Sequence, residues 1–192
     1  MEVFQQLTLL PTPEAGVYFL WEKIFQQVHL ALVEIQNPDG QISVGISFPD
    51  YDGQSHFLGE RCRFFATERD LLEKLRMKQW LSRFNDYVDL SGIRDVPDRI
   101  DTYAVYRRLQ PKSSIERLAR RKAKREGLSF EQAMAFLQSF KPQEVRTPYI
   151  LMNSHSSERR FQLFIQKEVV ENPVSGYFST YGLSSHSTVP EF

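Results

Sequence analysis

Residues 3–10 (VFQQLTLL), a short run mixing apolar and polar positions, read as a strand. Thr12-Pro13-Glu14 then supplies an N-cap, a proline at the first helical position and an early acid. These open a helix to about Ile35 that stops at Asn37-Pro38-Asp39-Gly40. On a helical wheel Val17, Leu20, Trp21, Ile24, Phe25, Val28, Ala31, Leu32 and Ile35 fill an arc of roughly 140°. His29 falls roughly 40° outside that arc, on the shoulder between core and solvent.

Residues 42–48 (ISVGISF) and 61–66 (RCRFFA) are strand-like across a polar, glycine-containing loop. Thr67-x-x-Asp70 predicts a second helix to about Phe84, and a short strand near 87–90 completes β-α-β-β-α-β, the ferredoxin-like order. Residues 92–101, with Pro97 and several charges, read as a linker. Beyond it, 103–110 is a predicted strand. Ser113-x-x-Glu116 is a capping box for a basic helix over 114–126, and Ser129-x-x-Gln132 is one for a helix to about Phe140. Strands are expected at 149–154, 160–169 and 177–183. The fold class that follows is α+β. A ferredoxin-like N-terminal domain covers 1–95, and a C-terminal α+β domain carrying an arginine-rich helix covers 96–192.

Composition narrows the class. With 192 residues, 41% hydrophobic and 25% charged, the chain can bury a core without staples. A single cysteine, Cys62, excludes an internal disulfide and a cysteine-built zinc site. No apolar run approaches the ~18 residues of a membrane span and no leader pattern opens the chain, so a soluble cytoplasmic protein with no membrane partner is expected.

The formal net charge of zero hides an asymmetry: residues 1–100 carry a net −5 and residues 101–192 a net +5. Between Arg107 and Arg125 nine Lys/Arg face one acid, Glu116. Arg117, Arg120, Arg121, Lys124 and Arg125 share an arc of roughly 140°, opposite Ile115, Ala119 and Ala123. With one acid among them, few i,i+4 ion pairs are expected, and phosphate oxygens would offset the repulsion. A solvated charged face is the bland alternative. The upstream Arg107, Arg108, Gln110 and Lys112 favour a polyanion partner, and Arg108 and Gln110 have side chains that can pair with base edges.

The sequence contains no HExxH, CxxC, EF-hand, Walker or G-x-S-x-G motif, so neither a metal nor a cofactor is expected. His56 and His186 lie in polar segments. His29, Tyr181, Ser154 and Ser156 all have ordinary structural readings: a shoulder histidine, a strand tyrosine and strand-end serines.

A combination of segments resembles a known family. These are Gln27-Val-His29-Leu-Ala-Leu, Val44-Gly-Ile-Ser-Phe-Pro-Asp50, Leu58-Gly-Glu-Arg61, Glu116-Arg-Leu-Ala-Arg-Arg121, Phe161-Gln-Leu-Phe-Ile165, Tyr181-Gly-Leu-Ser184 and Val189-Pro190. In this order and spacing they are similar to the subtype I-F CRISPR-associated endoribonucleases, which excise guide RNAs by cutting each repeat hairpin. The resemblance implies the ferredoxin-like domain and a groove-inserting arginine-rich helix. It also implies catalytic His29 and Ser154, an active-site Tyr181 and a second serine, Ser156. RNA contacts would come from Arg108, Gln110, Arg120, Arg121, Lys124 and Arg125, with Arg117 on the same basic face, and Phe161 would stack on the terminal base pair. Implied partners are the repeat hairpin or guide RNA and other subunits of the type I-F surveillance complex. There are departures: Ala119 and Lys124 stand where arginines are found in the family, Lys122 where leucine is, and Glu191 where tryptophan is.

The chemistry the resemblance implies is attack of a 2′-hydroxyl on the adjacent phosphate, with His29 as general base, Ser154 orienting the ribose and Tyr181 fixing the ring or the phosphate. No metal is needed for it. Two alternatives stand beside it: a non-catalytic hairpin-binding subunit, and a DNA-binding regulator using the basic helix, ordinarily a dimer on a palindrome.

Overall fold

Burial of Val3, Leu7 and Leu9 at alternate positions of β1 (Val3–Leu9) gives one sheet face its apolar surface, against which α1 (Val17–Glu34) packs. In order, the other elements are β2 (Gln41–Ile42), β3 (Gly45–Ser47), β4 (Arg61–Ala66), α2 (Arg69–Lys74), α3 (Met77–Trp80), β5 (Val88–Leu90) and β6 (Arg94–Asp95). They continue as β7 (Thr102–Leu109), α4 (Ile115–Glu126), α5 (Phe130–Phe136), β8 (Tyr149–Asn153), β9 (Arg160–Val170), β10 (Phe178–Ser179) and β11 (Val189–Glu191). The computed structural model describes residues 1–111, 115–137, 145–154 and 159–192. The predicted cap Ser113 and the candidate Ser156 lie outside the described residues. The class is α+β.

By contacts the chain divides into two compact units, Met1–Leu109 with Thr147–Phe192, and Gln110–Arg146. The first unit holds two larger antiparallel sheets. One runs β3-β4-β1-β5, with β6 also paired to β1, and the other runs β11-β7-β9-β8; a small ribbon joins β10 to β2. One hydrophobic core serves both sheets. Trp21, Phe25, Phe48, Phe64 and Phe65 fill it, and the Trp21 indole N–H donates to the Gly59 carbonyl at 2.8 Å. Across the junction the Tyr106 hydroxyl meets the Phe48 carbonyl at 3.0 Å, and the Tyr51 hydroxyl donates to the Ile165 carbonyl at 3.1 Å. Burial and the neighbouring Glu191 carboxylate push the Tyr106 phenol far up, so it stays protonated. Glu191 accepts from both Tyr106 and Lys167, so the polar substitution near the tail is partnered.

Several predicted elements shift. The first helix starts at Val17 rather than after Thr12, because the Thr12 hydroxyl accepts from the Glu14 N–H in a local turn and Gly16 becomes the N-cap. The single helix expected to Phe84 is broken at Arg76, which has φ 47° and pairs with Glu34; α2, α3 and a 3₁₀ turn over Ser82–Phe84 replace it. The strand expected over 42–48 splits into β2 and β3, and the segment read as linker contains β6. The strand expected at 177–183 is two residues of β10 followed by a turn. β11, only three residues long and containing Pro190, carries no strand signal in the sequence pattern.

In the second unit, α4 packs on α5 with Ala119 and Ala133 buried, and Gly127, at φ 66°, ends α4. The Ser129 hydroxyl and the Gln132 side chain form the full capping box of α5.

Candidate active site

His29 leaves α1 within roughly 60° of Glu22 and Gln26, about two turns and one turn earlier respectively. This polar stripe borders the apolar arc, and it meets the hairpin of β8 and β9. The Glu22 carboxylate accepts from the Arg160 guanidinium at 2.9 Å, with Glu22 only 11% exposed. The Gln26 side-chain oxygen accepts from the Asn153 backbone N–H at 3.2 Å. Ser154 follows directly, its N–H donating to the Arg159 carbonyl at 2.9 Å. The candidate serine therefore sits at the end of a strand held to the helix that carries the histidine.

The His29 ring is half-buried and fixed on two sides. Its Nδ1 lies 2.8 Å from the Thr180 carbonyl oxygen. A carbonyl only accepts, so Nδ1 carries the hydrogen and the neutral ring has its lone pair on Nε2. The Tyr181 ring stacks on the imidazole with centroids 4.3 Å apart and planes 8° from parallel. Both contacts come from one tight turn, in which the Gly182 N–H donates to the Ser179 carbonyl at 2.7 Å. Gly182 has φ 70°, and a Cβ there would lie 2.4 Å from Ile46 Cγ1. The Ile46 N–H also donates to the Gly182 carbonyl at 3.0 Å, which locks the turn onto β3. Tyr181 is thus a turn residue, not a strand residue.

Phe161, at the start of β9, meets Tyr181 edge-on with centroids 6.5 Å apart. The Arg108 guanidinium, from β7, lies 5.1 Å from the Phe161 centroid and 5.5 Å from that of Tyr181. The structure therefore gathers His29, Tyr181, Phe161 and Arg108 from four parts of the first unit. Cys62 is buried, which pushes its thiol well above the usual range and removes it as a thiolate nucleophile.

Gln110 opens the second unit and is exposed. On α4, Arg117, Arg120, Arg121, Lys124 and Arg125 are all exposed, while Ile115 and Ala123 are half-buried. More ion pairing occurs there than the count of acids suggested. Glu126, one residue past the counted stretch, takes Lys122 at i,i+4 and also Arg125, each at 2.7 Å. Lys122 in addition lies 4.8 Å from the centre of the Phe136 ring.

Reasoning from sequence missed Thr180, Gln26, Glu22 and Arg160. Thr180 acts through its backbone carbonyl, which leaves no trace in residue type. The stripe Glu22, Gln26, His29 is visible as polar residues on one face, but its partner hairpin is not. Among the described residues no three His, Cys, Asp or Glu side chains group as metal ligands, and no helix is long and apolar enough to cross a membrane.

Fold and site define an α+β protein with a histidine–tyrosine centre beside a cation-covered phenyl ring and, in a separate unit, a basic helix. The family model described as CRISPR-associated protein (Cas_Csy4) matches residues 4–192, and the chain belongs to this family. It is 34% identical to a protein of Escherichia coli (strain UTI89 / UPEC) and 33% identical to one of Pseudomonas aeruginosa (strain UCBPP-PA14), each over 100% of both chains. Both relatives are named CRISPR-associated endonuclease Cas6/Csy4. A solved structure described as "An RAMP protein binding different RNA substrates" aligns with a TM-score of 0.38 and 9% identity, over 98% of this chain and 100% of that one.

Proposed function

We propose that this protein is a CRISPR repeat-cleaving endoribonuclease that binds the repeat hairpin and cuts at the 3′ base of its stem without a metal ion. The observation that carries the reading is the His29 ring, with Nδ1 committed to the Thr180 carbonyl and its flat face held by Tyr181. Such a ring has a defined basic atom, Nε2, in a defined direction. His29 Nε2 takes the proton of the ribose 2′-hydroxyl, O2′ attacks the adjacent phosphorus, and the bond from phosphorus to O5′ breaks. The products are a 2′,3′-cyclic phosphate and a 5′-hydroxyl whose proton comes from water. A positioned base of this kind contributes roughly 10²–10⁴-fold. Ser154 orients the ribose for in-line attack, and Tyr181 holds the imidazole.

Arg108 and Gln110 read bases beside the cut. Arg117, Arg120, Arg121, Lys124 and Arg125 contact the stem, Lys124 as a point charge on phosphate rather than a two-pronged base reader. Phe161 stacks on the terminal base pair, and Ser156 contacts the RNA near the site. The names of the two full-length relatives support the activity. The sheet order β3-β4-β1-β5, with helices following β1 and β4, supports a ferredoxin-like layout for residues 1–95, ahead of an RNA-binding part over 96–192. Continued attachment to the guide RNA and assembly with other subunits of a type I-F surveillance complex complete the reading.

The test is a repeat hairpin with a 2′-deoxy nucleotide at the scissile position. It should bind as the all-ribose hairpin does and remain uncut, and cutting of it would end the 2′-hydroxyl mechanism. Cleavage should persist in EDTA, and H29A should bind the hairpin yet cut far more slowly. Sequencing RNA that copurifies with the protein identifies the repeat.

A further inference from the structure

We propose that Gln26 is a positioning residue for the cleavage reaction, setting the register between His29 and Ser154, with the Glu22–Arg160 pair as a second anchor of the same register. The inference rests on the reading of His29 as the base.

The two candidate groups reach the site from unrelated elements, one from a helix and one from the end of a strand. Apolar packing holds α1 to its sheet, but that attraction is non-directional and fixes sliding and rotation poorly. Directional bonds do this better. The Gln26 oxygen grips the Asn153 N–H across 127 residues of sequence, one residue from Ser154 on the strand and less than one helical turn from His29. One turn further back, the nearly buried Glu22 holds Arg160, the residue paired with Asn153 across β8 and β9. Both anchors therefore hold the same rung of the hairpin, and both leave α1 on the side that carries His29. The Thr180 and Tyr181 contacts orient the ring itself. Gln26 and Glu22 orient the helix under the ring relative to the serine.

A misplacement of about 1 Å between reacting groups costs roughly a hundredfold in rate. Gln26→Leu keeps the side chain's length and removes its acceptor, whereas Gln26→Glu keeps an acceptor oxygen at the same reach. The experiment measures single-turnover cleavage of the repeat hairpin, affinity for the 2′-deoxy hairpin and melting temperature, all with the full chain. Q26L should cut about ten- to a hundredfold more slowly, with affinity unchanged within about threefold, and Q26E should recover most of the lost rate. Wild-type cutting by Q26L overturns the proposal, as does a parallel loss of rate and affinity that Q26E does not restore. Should Q26L fail to fold, E22L decides in the same way, with slower cutting at unchanged affinity supporting the shared register and wild-type cutting refuting it. H29A runs alongside. If H29A cuts normally the base assignment falls and this proposal with it, whereas an inactive H29A beside a fully active Q26L overturns the positioning role alone.

Discussion

Replacing Tyr181 separates two roles that its sequence position leaves open, support of the imidazole and contact with the phosphate. The ring lies nearly parallel to His29 at 4.3 Å between centroids, and Arg108 sits 5.5 Å above the same ring. Aromatic pairs of this kind contribute about 0.5–1.5 kcal/mol beyond burial, and an exposed cation over a ring about 0.5–1 kcal/mol. Y181A forfeits the stack and lets the imidazole visit other rotamers. If the lost stacking energy appears fully in the barrier, cleavage slows about 2- to 13-fold, and the displaced guanidinium takes the upper limit to roughly 70-fold. Y181F keeps the ring, the stack and the cation contact, and should cut within about twofold of wild type. The assay is single-turnover cleavage of end-labelled hairpin at saturating protein, with affinity for the 2′-deoxy hairpin measured in parallel. If Y181F slows as much as Y181A, the hydroxyl rather than the ring is at work, and the argument from stacking fails.

Further outcomes follow from contacts away from the imidazole. The Arg61 guanidinium, hydrogen-bonded to Asp50, holds that carboxyl below its ordinary 3.8, so the unfolded chain binds the extra proton in acid. The pair's stabilisation is therefore complete above about pH 4 and drains as the pH falls through the lowered value; D50N should flatten the acid limb of urea-unfolding stability, and an unchanged limb refutes the assignment. Gly182→Ala meets both a positive φ and Ile46, so it should cost about 1–3 kcal/mol in denaturant melts and slow cleavage by moving Thr180 and Tyr181; a fully stable G182A would refute the close approach. R121A should lower the slope of log affinity against log salt by about one, and R125A by less, because Glu126 already engages Arg125. Equal slopes for wild type and R121A would remove Arg121 from the phosphate contacts.

Local chemistry made some of this legible in the sequence and long-range contact hid the rest. The strand at β1, the apolar arc of α1 and the Ser129 box are all written within a few turns of chain, and the structure keeps them. The break at Arg76 was hidden because no glycine or proline marks it and its partner, Glu34, lies on α1. The turn at Ser179–Gly182 resembles a strand in sequence because its aromatic and β-branched residues suit one, and Gly182 is the signal against it. His29 was placed correctly on the shoulder of its helix by periodicity alone. What makes it more than a shoulder histidine is a backbone carbonyl and a tyrosine from a distant turn, and no helical wheel contains those.

The segments that carry the family resemblance do mostly structural work. Gly45 has no room for a side chain, because a Cβ there would lie 2.6 Å from Phe178 and Val189. Gly59 has φ 86° and admits no Cβ beside Asp50, and Asp50 in turn pairs with Arg61. Gly182 fits against Ile46, between Gly45 and Ser47. Gly45 and Gly182 let the C-terminal elements close onto β3, and that closure carries Thr180 and Tyr181 to His29, whereas Gly59 serves the local Asp50 turn. The pattern therefore specifies a set of close backbone approaches, with the imidazole's tautomer and orientation as its outcome. A substitution at Gly45 or Gly59 should reach the chemistry only by way of stability. One at Gly182 should reach both at once, because that residue alone belongs to the closure and to the turn that grips the ring.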